Sequence, residues 1–229
     1  MHASSLTRAA GLAAAAAGLI FIGVQVGHPH MDATSITTSE VVLRNFLKVL
    51  MASLALVGIT GMYLRQVRQI GAIGLVGYVL LGAGYLLILG SSYVAAFVLP
   101  AIAGSNPAYV EDVIAAATGG QPAGDIGLLE GLIQLQGLGY LAGGLVFGIA
   151  LYRAGVLARW ASALLAVGGV VTVVLSMMPD AFYRLLAFPN GIAMIGLGYS
   201  LWRSAAALQA IDSSPSTFTS PHPAQAGAE

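Results

Sequence analysis

Residues 125–153 read DIGLLEGLIQLQGLGYLAGGLVFGIALYR, and their reading decides the fold. The run is apolar and longer than the roughly 20 residues a helix needs to cross the hydrocarbon core of a bilayer. Its first third nevertheless carries Glu130, Gln134 and Gln136, and its second half carries Gly139, Gly143, Gly144 and Gly148. Polar side chains in a lipid-crossing helix face the bundle interior or a cavity. Small residues let a neighbouring backbone approach closely. The segment therefore divides into a polar third and a packing half.

The whole chain shares this character. Of its 229 residues 58% are hydrophobic and 8% charged, and the mean hydropathy is +0.87. Soluble domains carry about 25% charged residues, so a water-facing surface cannot be covered here and the remaining solvent is lipid. The formal net charge is zero, which gives no field for nucleic acid, and no nucleic-acid partner is expected. Cysteine is absent, which excludes disulfides, thiolate chemistry and cysteine-ligated metals. No cofactor motif is present and no cofactor is expected.

Working outward from the central run, the expectation is an all-α polytopic transmembrane bundle of six spans, at about 8–27, 41–64, 70–100, 126–152, 160–178 and 182–202. Residues 1–203 form the membrane domain. The Pro- and Ser-rich stretch 204–229 reads as a disordered cytoplasmic tail. The first span is retained rather than cleaved as a signal peptide, because its apolar run exceeds the usual 7–15 residues and no small-x-small site follows it. Thr38 or Ser39 caps the second. The third ends at Pro100. In the loop 101–125, a short helix from Tyr109 to Thr118 places Glu111 and Asp112 in its first turn, where the helix dipole favours them. Pro189-Asn190 falls inside the sixth span and predicts a kink.

Charge sets the orientation. Arg8, Arg65, Arg68, Arg153, Arg159 and Arg203 all fall at one side of a six-span chain, whereas Asp32, Glu40, Glu111, Asp112, Asp125 and Asp180 fall at the other. The positive-inside rule puts the arginine side, with both termini, in the cytoplasm of a cell-membrane protein.

Counting inward from the opposite ends brings Glu130, Lys48, Asn190, Gln25 and Tyr93 into one layer, on the order of 8–12 Å deep at 1.5 Å per residue. Glu130 and Gln134 share a helix face, and Gln136 points elsewhere. Glu40, Arg44 and Lys48 follow one another at i, i+4, i+8. The plainest account of the Glu40, Arg44 and Lys48 row is a snorkelling, self-paired helix end, and that of Glu130 is an ion pair with Lys48 or Arg44. The sharper account is a polar cavity open to the outside, with Arg44, Lys48, Gln134, Asn190, Tyr93 and Gln25 lining it. His28, His30 and Asp32 form an H-x-H-x-D run with the chemistry of metal ligands. Three groups in one loop without a second cluster do not make a site, and no metal is expected.

The segments GITGMYLRQVRQIGAIGLVGYVLL (58–81) and LVFGIALYRAGVLARWASALLAVGG (145–169), with the RAAG…HP opening, resemble a broad group of small actinobacterial integral membrane proteins without a characterised activity. The resemblance covers most of residues 7–203. It implies a six-span helical fold and assigns no site residue.

Three functions fit these residues. One is binding or transport of a small, largely apolar or anionic molecule, with Arg44 and Lys48 selecting the anionic head. A second is a membrane-embedded enzyme acting on a lipid or isoprenoid. There Glu130 would be the general acid, and Tyr93, Tyr140 or Phe188 would stabilise a cation, as small terpene cyclases do. A third is an accessory subunit or homo-oligomer that packs through Gly/Ala-rich helix faces. In all three the lipid bilayer is the first partner.

Overall fold

A computed structural model describes residues 3–27, 29–176 and 187–212. The described residues are mainly helical, and no strand occurs among them. The long helices are α1 (Ala3–Gly23), α2 (Ser39–Arg65) and α3 (Val67–Tyr93), then α6 (Leu128–Ala154), α7 (Arg159–Ser176) and α8 (Ala187–Asp212). Between α3 and α6 lie the short α4 (Leu99–Ile102) and α5 (Pro107–Ala117). Among the described residues, four stretches are long and apolar enough to cross a membrane: Ser4–Gly23, Ser39–Arg65, Val67–Ile102 and Leu128–Ala154.

Boundaries differ from expectation where local chemistry was misread. The third span does not stop at Pro100. A π-helical turn, Val94–Val98, carries α3 into α4, with the Leu99 N–H reaching back to the Val94 carbonyl. Pro100 has no N–H to offer the usual partner four residues earlier, and a widened turn makes room for its ring. Asn106 caps α5, accepting from the Tyr109 N–H, and Pro107 occupies its first position. This cap-plus-proline start moves the helix two residues earlier, so Glu111 and Asp112 are not in its first turn. Thr38, of the two candidates, caps α2 through the Val41 N–H. Pro189 stands in the first described turn of the helix Ala187–Asp212, and the turn before it, where the expected kink would fall, lies outside the described residues. The helix carries ten residues beyond the expected end at 202, so only residues 213–229 of the expected tail lie outside the described residues, as do 177–186 and His28.

The six long helices close a ring in which each packs on its neighbours in the order α1, α2, α3, α6, α7, α8 and back to α1. The tightest seams are α3/α6 and α1/α8, and glycine explains both. A Cβ on Gly84 would sit 2.6 Å from the Tyr140 main-chain nitrogen, and one on Gly143 or Gly77 would strike the main chain at Leu81 or Phe147. Across the other seam, Gly11 faces Gly198 and Gly18 faces Gly191. These glycines on α1, α3, α6 and α8 pack against neighbouring helices of the same chain.

Alanines line the close helix contacts, and large apolar side chains also cover the exterior. Ala10, Ala14, Ala17, Ala52 and Ala55 are buried, while Leu12, Leu19, Val57, Leu75 and Leu138 are exposed. Water-soluble domains do not present such a continuous apolar exterior. A second apolar cluster of Ile36, Val41, Leu99, Val110, Val113 and Ile114 forms a cap at one end, where α5 lies over the bundle.

Candidate functional site

Neighbouring helices run antiparallel, and their contacts fix which residues share a level. Tyr63 stacks on Tyr78 at 4.7 Å and Phe46 meets Phe97 at 6.3 Å, which puts Lys48 level with Tyr93 to Ala95. Gly84 against Tyr140 puts Tyr93 level with Glu130. Ala14 against Gly58 puts Lys48 level with Val24 and Gln25. Asn190 lies deeper: Gly191 faces Gly18, and that register matches it to Ser53, about 7 Å further in at 1.5 Å per residue.

The shared level does not make a shared site, because the side chains point apart. Tyr93 is 51% exposed, with its ring 5.0 Å from Phe97, and belongs to an outward aromatic cluster with Phe46. Glu130 is the third residue of α6 rather than the fifth of a longer span, and it is half-buried. Its Oε1 accepts from Gln134 Nε2 at a long 3.5 Å, and Gln134 is exposed. Glu130 thus lacks the enclosure that the general-acid reading requires. The inward amide is Gln136, whose Oε1 accepts a 2.7 Å hydrogen bond from Ser91 Oγ across α3 and α6. Gln25 sits half-buried in the turn after α1, its main-chain N–H donating to the Ile22 carbonyl. Asn190 is buried, and its amide fills the space beside Gly168 of α7.

Arg44 has a structural task. Its Nη1 donates to the carbonyls of Val24 and Val26 at 3.0 Å, and its Nη2 donates to that of Gly27 at 3.2 Å. These carbonyls belong to the turn that follows α1, and the guanidinium fork ties that turn to α2. Its pair with Glu40 is 2.9 Å long and stays within α2. The expected Glu130–Arg44 pair is absent, and Arg44 is not available as an anion selector.

Lys48 differs. Its Nζ donates to Asn45 Oδ1 at 3.4 Å. Asn45 is 2% exposed, and its Nδ2 has no hydrogen-bond partner among the described residues. Sequence reasoning passed over Asn45 because attention went to the charges at i, i+4, i+8. The signal was an amide one turn from a lysine inside an apolar span. Asn45 lies one turn below Val41, a member of the cap cluster. That cluster also contributes Leu99, Val94 and Val113 to a cavity of about 40 Å³ beneath α5, with Ser91 and Thr118 as its polar edge.

Two carboxylates hold the cap. Glu111 Oε1 accepts the Ala33 N–H at 2.7 Å, tying α5 to the 29–38 loop. Asp112 accepts from Ala123 and Gly124 and closes the loop after α5. Asp32 is likewise committed to its own turn, accepting from the Ser35 N–H at 2.6 Å and the Thr34 N–H at 2.9 Å. These donors, Ser35 first, hold its carboxyl below the usual aspartate value.

At the opposite end, cations meet aromatic rings. Arg8 lies over Trp202 at 5.5 Å, Arg159 over Tyr152 at 5.8 Å and Arg203 over Tyr199 at 5.8 Å. Gln66, in the α2–α3 turn, is fully buried with Oε1 unpartnered. No family model, curated protein or solved structure matches this chain.

Proposed function

We propose that the chain is a six-span protein of the cell membrane, with its arginine-rich end and both termini in the cytoplasm, that binds a small amphiphilic molecule at its outer end. The observation that carries the reading is the Asn45 amide, buried with an unpartnered N–H beside the Lys48 ammonium in a helix whose exterior is apolar. Buried donors in a membrane helix are costly and mark ligand or ion sites. The anionic or polar head is held by Lys48 and Asn45, and the apolar part enters the cavity under α5.

The cavity is far smaller than the 300–1,000 Å³ of ordinary ligand sites, so entry requires α5 to lift. Its tie to the 29–38 loop, through Glu111, is exposed and easily broken. Support for six spans comes from α7 and α8, which complete the antiparallel ring with the four long apolar stretches. Support for transport rather than storage comes from the ring's halves. Helices α1–α3 and α6–α8 meet through two equivalent glycine seams and run in opposite directions, as inverted repeats do in transporters. The resemblance to small multi-span actinobacterial proteins is consistent with this architecture.

The test is mass spectrometry of small molecules that co-purify with wild type, Asn45→Leu and Lys48→Met, with thermal unfolding alongside. A molecule bound to wild type and lost from both folded variants supports the reading. Identical small-molecule content in all three overturns it.

A further inference from the structure

A second groove lies at the opposite end, on the outer surface of the α1/α8 seam. Gly11, Ala15 and Gly198 floor it, and Leu12 and Ile195 wall it. Because small residues bring the two backbones together there, the larger side chains on either side stand up as ridges, leaving a channel of about 320 Å³. Its mouth is formed by Tyr199 and Trp202, whose rings stack at 6.1 Å. Above them stand Arg8 and Arg203, each over one of these rings.

We propose that this groove binds one anionic phospholipid of the cytoplasmic leaflet, with an acyl chain in the channel and the phosphate at its mouth, where the guanidinium groups of Arg8 and Arg203 flank the Trp202–Tyr199 stack. The inference rests on the orientation proposed above. Charge complementarity selects the occupant: the channel is apolar along its length and ends at two guanidinium groups. A guanidinium over an aromatic ring keeps N–H groups directed away from the ring, and these fork onto phosphate oxygens. The channel spans residues 195–202 of α8, about 10 Å at 1.5 Å per residue. This is roughly two-thirds of one leaflet of a ~30 Å hydrocarbon core. Basic grooves between helices at the cytoplasmic side are where anionic headgroups are held. Tyr and Trp at this depth match the amphipathic zone where headgroup meets chain.

The chain has two tryptophans, so Trp160→Phe leaves Trp202 as the reporter. The protein is reconstituted in phosphatidylcholine nanodiscs containing phosphatidylglycerol, and bromine is placed on the acyl chains of one lipid or the other at equal mole fraction. Brominated phosphatidylglycerol is expected to quench Trp202 at least two-fold more than brominated phosphatidylcholine. In Arg8→Gln/Arg203→Gln that ratio falls to one, while quenching by brominated phosphatidylcholine persists and shows the variant is inserted. Equal quenching in the parent protein, or a ratio that survives the double substitution, overturns the site and leaves the membrane reading standing. Absence of quenching by either lipid overturns both.

Discussion

Replacing Gly84 by alanine tests the packing argument most sharply. Its new Cβ would lie 2.6 Å from the Tyr140 nitrogen and 2.8 Å from the Tyr140 Cα, both main-chain atoms that cannot swing away. Ordinary carbon contacts begin near 3.5 Å, so α3 and α6 must part by roughly 1 Å. Overpacking of this kind costs up to about 3 kcal/mol. The better helix propensity of alanine returns about 1 kcal/mol. The net loss is about 2 kcal/mol, roughly a 30-fold fall in the folded-to-unfolded ratio. Gly131 supplies the control, since it is exposed on the same helix pair with nothing within 4 Å of a Cβ. There only the propensity acts, and Gly131→Ala is neutral or more stable by up to about 1 kcal/mol. Reversible unfolding in mixed micelles measures both. The reasoning fails if Gly84→Ala is as stable as wild type, or if the two substitutions shift stability equally.

Three further outcomes follow from the side-chain contacts. Arg44→Met removes the donors from three carbonyls in the turn after α1 and lowers stability by about 2 kcal/mol, whereas Glu40→Gln costs under about 0.5 kcal/mol because the Glu40 carboxylate is largely exposed. Thermal unfolding of the two variants separates these sizes, and equal losses contradict the role of Arg44 in that turn. Glu111→Gln weakens the tie to Ala33, so hydrogen exchange in α5 and the 29–38 loop speeds several-fold while the ring helices stay protected. Unchanged exchange in α5 argues against a moving cap. Asp32 titrates below 3.8, so its turn is intact above that pH and loosens as pH falls through the lowered value. A carboxyl midpoint by NMR at or above 3.8 contradicts this.

Much of the fold was legible because lipid imposes a simple rule on sequence. Long apolar runs with basic turns at alternate ends gave the long helices, and clustered glycines gave the seams. The seventh-residue spacing of Gly77 and Gly84, or of Gly191 and Gly198, reads as one packed face. The depth of Glu130, Lys48, Tyr93 and Gln25 was also countable, since rise per residue is constant. Direction around the helix was not. The helix α6 is apolar on every side, so no polar stripe shows which face Glu130 shares with its neighbours, and Gln136 proved to be the inward amide. The pairing of Arg44 with Glu40 was legible in their i, i+4 spacing, but the other partners of Arg44 are main-chain carbonyls about twenty residues away, which no side-chain pattern announces. Asn45 was overlooked for a different reason: an uncharged amide carries no signal until its burial is known.

The central claim is a membrane-spanning bundle with the α5 cap outside and the arginine end in the cytoplasm. Because the chain contains no cysteine, single cysteines report topology without background. Gln121→Cys in the exposed loop after α5, Gln69→Cys beside the α2–α3 turn and Asp212→Cys at the end of α8 are treated on intact cells with a membrane-impermeant maleimide. Labelling of position 121 alone, with positions 69 and 212 reacting only after lysis, is the expected result. Labelling of position 69 or 212 from outside, or protection of position 121, contradicts the account.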